Sequence, residues 1–228
     1  MTNSKTLFDS VISDLKLIES QDEMNAIAFA VLGYFGISRT DVIAKRLVEM
    51  DSTTLHPIIC RLNQHEPLQY IFNEAWFCGY RFYVDPGVLI PRPETELLVE
   101  ESKRLIERHV FGRPPRILDI GTGSGCIAIS LSLIFPEATV WGIDVSERAL
   151  AVAKRNADAL KAKVEFSRLD ILNESLITDR FDLIVSNPPY ISMKEKAGLS
   201  NNVLDYEPHL APFAKQTEPG AARNPKHY

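Results

Sequence analysis

Arg116-Ile117-Leu118-Asp119-Ile120-Gly121-Thr122-Gly123-Ser124-Gly125 is the stretch on which the fold turns. A short apolar run ends in three glycines at alternate positions, and the longer apolar run Cys126–Phe135 follows. The first run reads as a buried strand and the second as a helix. The glycines between them permit a tight turn and a close approach of backbone N–H groups to a ligand. Downstream the alternation continues, with strands predicted at Thr139–Asp144, Val164–Asp170 and Phe181–Ser186 and a helix at Glu147–Leu160. Strands alternating with helices dictate an α/β fold with a parallel sheet and right-handed crossovers.

Upstream, residues 1 to about 70 read as helices only. Leu7, Val11, Ile12, Leu15 and Ile18 recur at helical spacing. Ser20 with Glu23, and Ser38 with Asp41, have the spacing of capping boxes. They open helices carrying Ala26, Phe29, Ala30 and Leu32, and then Val42, Ile43, Leu47 and Val48. A fourth helix is expected from Thr54 through Leu62. Aromatic residues crowd between 70 and 83, and Gly79 and Pro86-Gly87 offer turns, so residues 71–91 read as a β-hairpin linker. Ile90-Pro91-Arg92-Pro93-Glu94-Thr95-Glu96 then leads into a helix with Leu97, Leu98, Leu105 and Ile106.

The chain has 228 residues, 45% hydrophobic and 24% charged, with a net charge of −5 and a pI near 5.6. The first 74 residues alone carry a net charge of −4. A nucleic-acid clamp advertises a basic face, and the composition speaks against one. Cys60, Cys78 and Cys126 lack metal-ligand spacing and fit reduced thiols of a cytoplasmic protein. No signal-peptide pattern is read at the N-terminus, and the apolar stretch near Ala26–Ile37 is too short to span a bilayer. No metal is expected. The five histidines are scattered, so none is singled out for catalysis.

The loop spacing is Gly-x-Gly-x-Gly. A dinucleotide fingerprint would place its last glycine at 126, where Cys126 stands. S-adenosylmethionine suits the turn better, because its methionine carboxylate and ammonium replace the phosphates. Asp119 is then an acceptor for the ammonium, beside Gly121, Thr122, Gly123, Ser124 and Gly125. Asp144, at the end of the second strand, can take both ribose hydroxyls. Asp170 and Ile171, after the third strand, can bracket the adenine edge and pack on its ring. The plainer alternatives are a helix cap for Asp144 and a turn for Asp170.

Asn187-Pro188-Pro189-Tyr190 follows the last predicted strand. Two prolines fix the backbone and lack N–H groups, so their carbonyls find no local donor. With the Asn187 amide and the Tyr190 ring, they form a cradle for a planar NH2 group. The alternative is an ordinary proline-rich loop ending a strand. Glycine loop, acid and cradle all fall at the carboxyl ends of parallel strands, where ligands of such sheets bind.

These residues resemble the class I S-adenosylmethionine-dependent methyltransferases. Within them the chain is similar to the HemK-like (PrmC) release-factor glutamine N5-methyltransferases. Glu66-Pro67-Leu68-Gln69-Tyr70-Ile71, Phe82-Tyr83-Val84, Pro86–Glu96, the glycine loop and Asn187–Tyr190 carry the resemblance, over residues from about 20 to 211. It implies a Rossmann-like sheet at residues 92–211 that binds S-adenosylmethionine, and a bundle at residues 1–70 that docks class I peptide release factors. The substrate it implies is the glutamine of their Gly-Gly-Gln motif, with Asn187, Pro188, Pro189 and Tyr190 at the reacting nitrogen. A monomer is expected, and Arg92 and Glu94 read either as ordering the site's mouth or as a helix cap.

Glu207-Pro208-His209-Leu210-Ala211 still fits the family, whereas residues 212–228 are polar and proline-rich and read as a disordered tail. The expectation is a shortened chain whose sheet lacks about three family strands and exposes its fourth as an edge. Two other readings stay open: a DNA or RNA amino-group methyltransferase, and an inactive remnant that only binds.

Overall fold

The computed structural model describes residues 1–16, 20–50, 52–109, 112–171 and 180–188. Ile18, Pro189, Tyr190, residues 207–211 and the expected tail lie outside the described residues. The chain divides into two compact units, Met1–Asn73 and Glu74–Tyr228.

In the first unit, β1 (Thr2–Asn3) leads directly into α1 (Ser4–Asp14), whose N-cap Asn3 accepts a hydrogen bond from the Lys5 N–H. Helices α2 (Gln21–Tyr34) and α3 (Arg39–Ile43) follow. Leu7, Phe8, Val11, Val31, Leu32, Leu55 and Ile59 fill the core. One predicted capping box forms and the other does not. Ser38 accepts from the Asp41 N–H, and the Asp41 carboxylate accepts from the Ser38 N–H. The Ser38 hydroxyl and N–H, with Arg46, hold the Asp41 carboxyl down at about 2. Ser20 caps α2 by position without a side-chain hydrogen bond.

Leu47 and Val48 do not extend α3. They form β2 (Leu47–Val48), antiparallel to β1, because Lys45 adopts a φ of 54° and turns the chain out of the helix. The fourth helix, α4 (His56–Leu62), is where it was expected. A fifth, α5 (Leu68–Phe72), was not. Its carbonyls are satisfied from outside: Arg61, paired with Glu66, also donates to the Ile71 carbonyl at 3.1 Å. Such a partner leaves no periodic trace in five residues.

The second unit opens with the hairpin β3 (Ala75–Phe77) and β4 (Tyr80–Phe82). Cys78 and Gly79 turn it with φ of 49° and 77°. Phe77 and Phe82 lie buried, edge to face, in the core of this unit. Helix α6 (Pro93–Arg108) buries Thr95, Val99, Ser102 and Ile106. Leu97 and Leu105, which lie in the helix as predicted, face solvent. Their spacing was helical, but the stripe that meets the sheet runs through the neighbouring small and β-branched residues.

Strands β5 (Arg116–Ile120), β6 (Thr139–Asp144), β7 (Val164–Arg168) and β8 (Leu183–Ser186) form one parallel sheet in the order β7-β6-β5-β8. Helices α7 (Cys126–Ile134) and α8 (Glu147–Leu160) lie between the strands in sequence. The third strand stops at Arg168, so Asp170 lies two residues beyond it, and the fourth begins at Leu183 rather than Phe181. The chain runs outward from β5 through β6 to β7, then returns to add β8 on the other side of β5. That reversal makes the carboxyl ends of β5 and β8 the topological switch point. Within the described sheet β8 is an outer strand, and its Ile184 is exposed.

Asn156 ties this unit together. It is 2% exposed, and its amide accepts from the Tyr83 N–H at 2.7 Å while donating to the Tyr83 and Ser124 carbonyls. One side chain thus links α8, the exit of the hairpin and the glycine loop. Asn156→Ala leaves three backbone groups unsatisfied. It is expected to lower stability by roughly 2–4 kcal/mol in denaturant unfolding, and a change under about 0.5 kcal/mol would show that the amide is dispensable.

Candidate functional site

The site is built on the carboxyl end of β5. Gly121, Gly123 and Gly125 hold φ of 72°, 55° and 80°, conformations that side chains resist. Gly125 is the most constrained, because a Cβ there would lie 2.9 Å from Ile129 Cδ1 and 3.1 Å from Ala153 Cβ. A glycine the sequence reading passed over, Gly142 in β6, matters for the same reason. A Cβ on it would lie 2.9 Å from Thr122 Oγ1 and 2.8 Å from Phe166.

The loop's N–H groups were expected to face a ligand. Most face the protein. Gly121 and Thr122 donate to the Ile143 carbonyl, Gly125 to the Thr122 carbonyl and Gly123 to Asp144 Oδ2. Thr122 and Ser124 are buried, and the Thr122 hydroxyl donates to Asp119 Oδ2 at 2.7 Å. A pyrophosphate needs a nest of unengaged N–H groups. This loop, with those four donors turned inward, is poorly made for one.

Asp119 lies beneath the loop with no exposed surface. Its Oδ2 accepts from the Thr122 hydroxyl and the Ala128 N–H, and its Oδ1 has no hydrogen-bond partner among the described residues. Burial pushes its carboxyl up to about 7. Bonds from Thr122 and Ala128 pull it down, and nearby Asp144 adds to the rise. Cys126, at the head of α7, is also buried, and its thiol is driven up to about 12, which removes thiolate chemistry from the site.

Asp144 ends β6. Its two oxygens accept from the Gly123 and Ser146 N–H groups, both at 2.9 Å. It does not cap α8; Ser146 does, by accepting from the Ala149 N–H. Held from two sides, the carboxylate keeps lone pairs for two further donors, which fits a ribose diol. The Leu169 N–H bonds the Asp144 carbonyl, so Asp170 and the exposed Ile171 follow next to it in the chain.

On the other side of β5, Ile120 pairs with Ser186, and the Ser186 hydroxyl donates to the Ile120 carbonyl at 2.8 Å. Gly121 and Asn187 therefore leave adjacent strands at the same level. Asn187 lines a cavity of about 230 Å³ with Arg92, Glu94, Thr95 and Leu98. Its Nδ2 donates to Thr95 Oγ1 at 3.1 Å. Arg92 and Glu94 thus belong to the cavity wall, and Arg92, at the N-cap position of α6, makes no side-chain cap bond. The Glu96 carboxylate takes the Cys78 N–H, joining α6 to the hairpin turn. Pro188 follows Asn187 within the described residues, whereas the stacking expected of Pro189 and Tyr190 lies outside them. Among the described residues no group of three or more His, Cys, Asp and Glu could hold a metal ion, and no helix is long and apolar enough to cross a membrane.

Sheet order, glycine loop and the acid after the second strand define a methyltransferase domain that takes S-adenosylmethionine. The Methyltransferase small domain family matches residues 94–206. Release factor glutamine methyltransferase of Flavobacterium psychrophilum is 39% identical over 220 residues, 95% of this chain and 76% of that protein. The protein of that name from Koribacter versatilis is 37% identical over 212 residues, covering 92% of this chain and 75% of its own length. The one from Bacteroides thetaiotaomicron is 49% identical over 166 residues, or 72% and 58%. The chain belongs to the release factor glutamine methyltransferase family, and spans between about half and three quarters of such relatives. A T. Thermophilus 16S rRNA N2 G1207 methyltransferase with AdoMet and guanosine superimposes at a TM-score of 0.44 and 28% identity. It covers 51% of this chain and 32% of that one, too partial an overlap to carry an argument.

The raised Asp119 carboxyl has a consequence for stability. In the unfolded chain the group ionises near 3.8, whereas folded it holds its proton to about 7. Its contribution is intact below the lower value and is lost as pH rises through the upper one. Asp119→Asn removes this dependence. The difference in Tm, variant minus parent, is expected to grow in the variant's favour from pH 5 to pH 8, and a constant difference would contradict the assignment.

Proposed function

We propose that this chain transfers a methyl group from S-adenosylmethionine to the side-chain amide nitrogen of a glutamine, that of the Gly-Gly-Gln motif of class I peptide release factors. The observation that carries the reading is the level exit of Gly121 and Asn187 from neighbouring strands. It supports the reading because the residue carrying the amide acceptor follows the strand next to the one that leads into the glycine loop.

A carboxamide nitrogen is a poor nucleophile, because its lone pair is delocalised into the carbonyl. The bound cofactor supplies a methyl group already activated on a sulfonium. The protein's task is placement. In this reading Asn187 Oδ1 and the Pro188 carbonyl accept the two N–H bonds of the substrate amide. They hold its nitrogen at attack distance with the lone pair turned outward. Positioning of this kind supplies roughly 7–11 kcal/mol in favourable cases. Tyr190 is assigned the face of the amide plane, on the strength of the sequence alone. No general base is needed before attack, since the methylated nitrogen is cationic and sheds its proton afterwards.

Asp144 is assigned the ribose hydroxyls, and Asp170 and Ile171 the adenine edge. Asp119 is assigned as the acceptor of the cofactor's ammonium, beside the glycine loop it braces. Residues 1–70 are assigned to docking the release factor, and the protein to the cytoplasm as a monomer.

Asn187→Ala is expected to abolish methyl transfer to a release factor while the cofactor still binds; calorimetry showing lost cofactor affinity with intact turnover would reverse the assignment. Asp144→Ala is expected to weaken cofactor binding by about 1–3 kcal/mol, and an unchanged Kd would remove Asp144 from the site. Transfer of label to RNA or DNA, in place of the release-factor glutamine, would favour the nucleic-acid reading.

A further inference from the structure

We propose that Thr95 is a positioning residue for methyl transfer: it fixes which end of the Asn187 amide is presented to the substrate. The inference rests on the reading of Asn187 given above. A carboxamide's two ends are nearly identical in shape and opposite in hydrogen bonding. Packing alone cannot tell them apart, so a neighbouring acceptor must. Thr95 Oγ1 supplies it, receiving the Asn187 Nδ2 donation at 3.1 Å. The oxygen end is then left for the N–H groups of an incoming glutamine. With the amide turned over, donor would meet donor.

The hydroxyl is well placed to hold that choice. Thr95 is 8% exposed, in the first turn of α6, and its N–H bonds the Arg92 carbonyl at 3.0 Å. A threonine is stiff at χ1, so Oγ1 is held at a fixed position facing the Asn187 amide, where it receives the Nδ2 donation. The helix is anchored just beyond it. Val99 and Ile106 sit in the core, and the neighbouring Glu96 holds the Cys78 N–H at 2.8 Å. Thr95 touches no reacting atom; its effect runs through Asn187.

The test compares Thr95→Val, which keeps the shape and loses the acceptor, with Thr95→Ser, which keeps the acceptor. Cofactor Kd, and kcat and KM for methylation of a release factor, are measured with labelled S-adenosylmethionine on chains of verified thermal unfolding. Thr95→Val is expected to lower kcat by about tenfold, the worth of one hydrogen bond, with cofactor Kd unchanged. Thr95→Ser is expected to recover most of that loss, which a purely structural role would not produce. If the valine variant fails to fold, Thr95→Ala carries the same test. Parental kcat in Thr95→Val beside an inactive Asn187→Ala overturns this inference alone, as does a serine variant no better than valine. Undiminished turnover in Asn187→Ala overturns the underlying reading as well.

Discussion

The pairing of β5 with β8 is the constraint on which the site depends. Parallel strands pair only after a long crossover, so nothing local fixes their relative level. Two polar devices mark it at both ends. At the start, Asp182 accepts both terminal nitrogens of Arg113, at 2.7 and 2.9 Å, and the Arg116 N–H. Those bonds hold its carboxyl below the usual range. At the finish, the Ser186 hydroxyl reaches the Ile120 carbonyl. Between them the register is set, and with it the placement of Asn187 level with Gly121. A slip of one residue would turn Asn187 to the opposite face of the sheet.

The glycine loop gains its shape at the cost of its donors. Because Gly121, Thr122, Gly123 and Gly125 donate inward, the turn is rigid before any ligand arrives. Asp119, the buried brace below it, works as a hydrogen-bond acceptor for Thr122 and the first turn of α7. Asp144 fastens both the Gly123 and the Ser146 N–H groups, and in the proposed reading it also takes the ribose hydroxyls. The absence of side chains at Gly125 and Gly142 lets α8, Phe166 and Thr122 close around the loop.

Much of this was legible in the sequence where a period and a boundary agreed. Thr139–Asp144 and Glu147–Leu160 carry clear strand and helix patterns between turn residues, and both occupy those bounds. The glycine loop and the acid at 144 follow from spacing. What was illegible has long-range causes. The helix at Leu97 and Leu105 was legible, but which of its stripes is buried was not, and both leucines are exposed. Leu47 and Val48 continue a helical period, but pair with Thr2 and Asn3 after the turn at Lys45. Asn156 and Thr95 act through partners that are 73 and 92 positions away in the chain. A signal did exist for Asn156: it is a polar residue on the buried stripe of Leu150, Ala153 and Ala157.

The most direct test of the account is a crystal structure of the chain with S-adenosylhomocysteine and a peptide carrying the Gly-Gly-Gln sequence. The account predicts the glutamine nitrogen within about 2.7–3.2 Å of both Asn187 Oδ1 and the Pro188 carbonyl, with Thr95 still holding the far end of the asparagine amide. A glutamine nitrogen gripped by other groups, with Asn187 turned away from the cofactor, would contradict it.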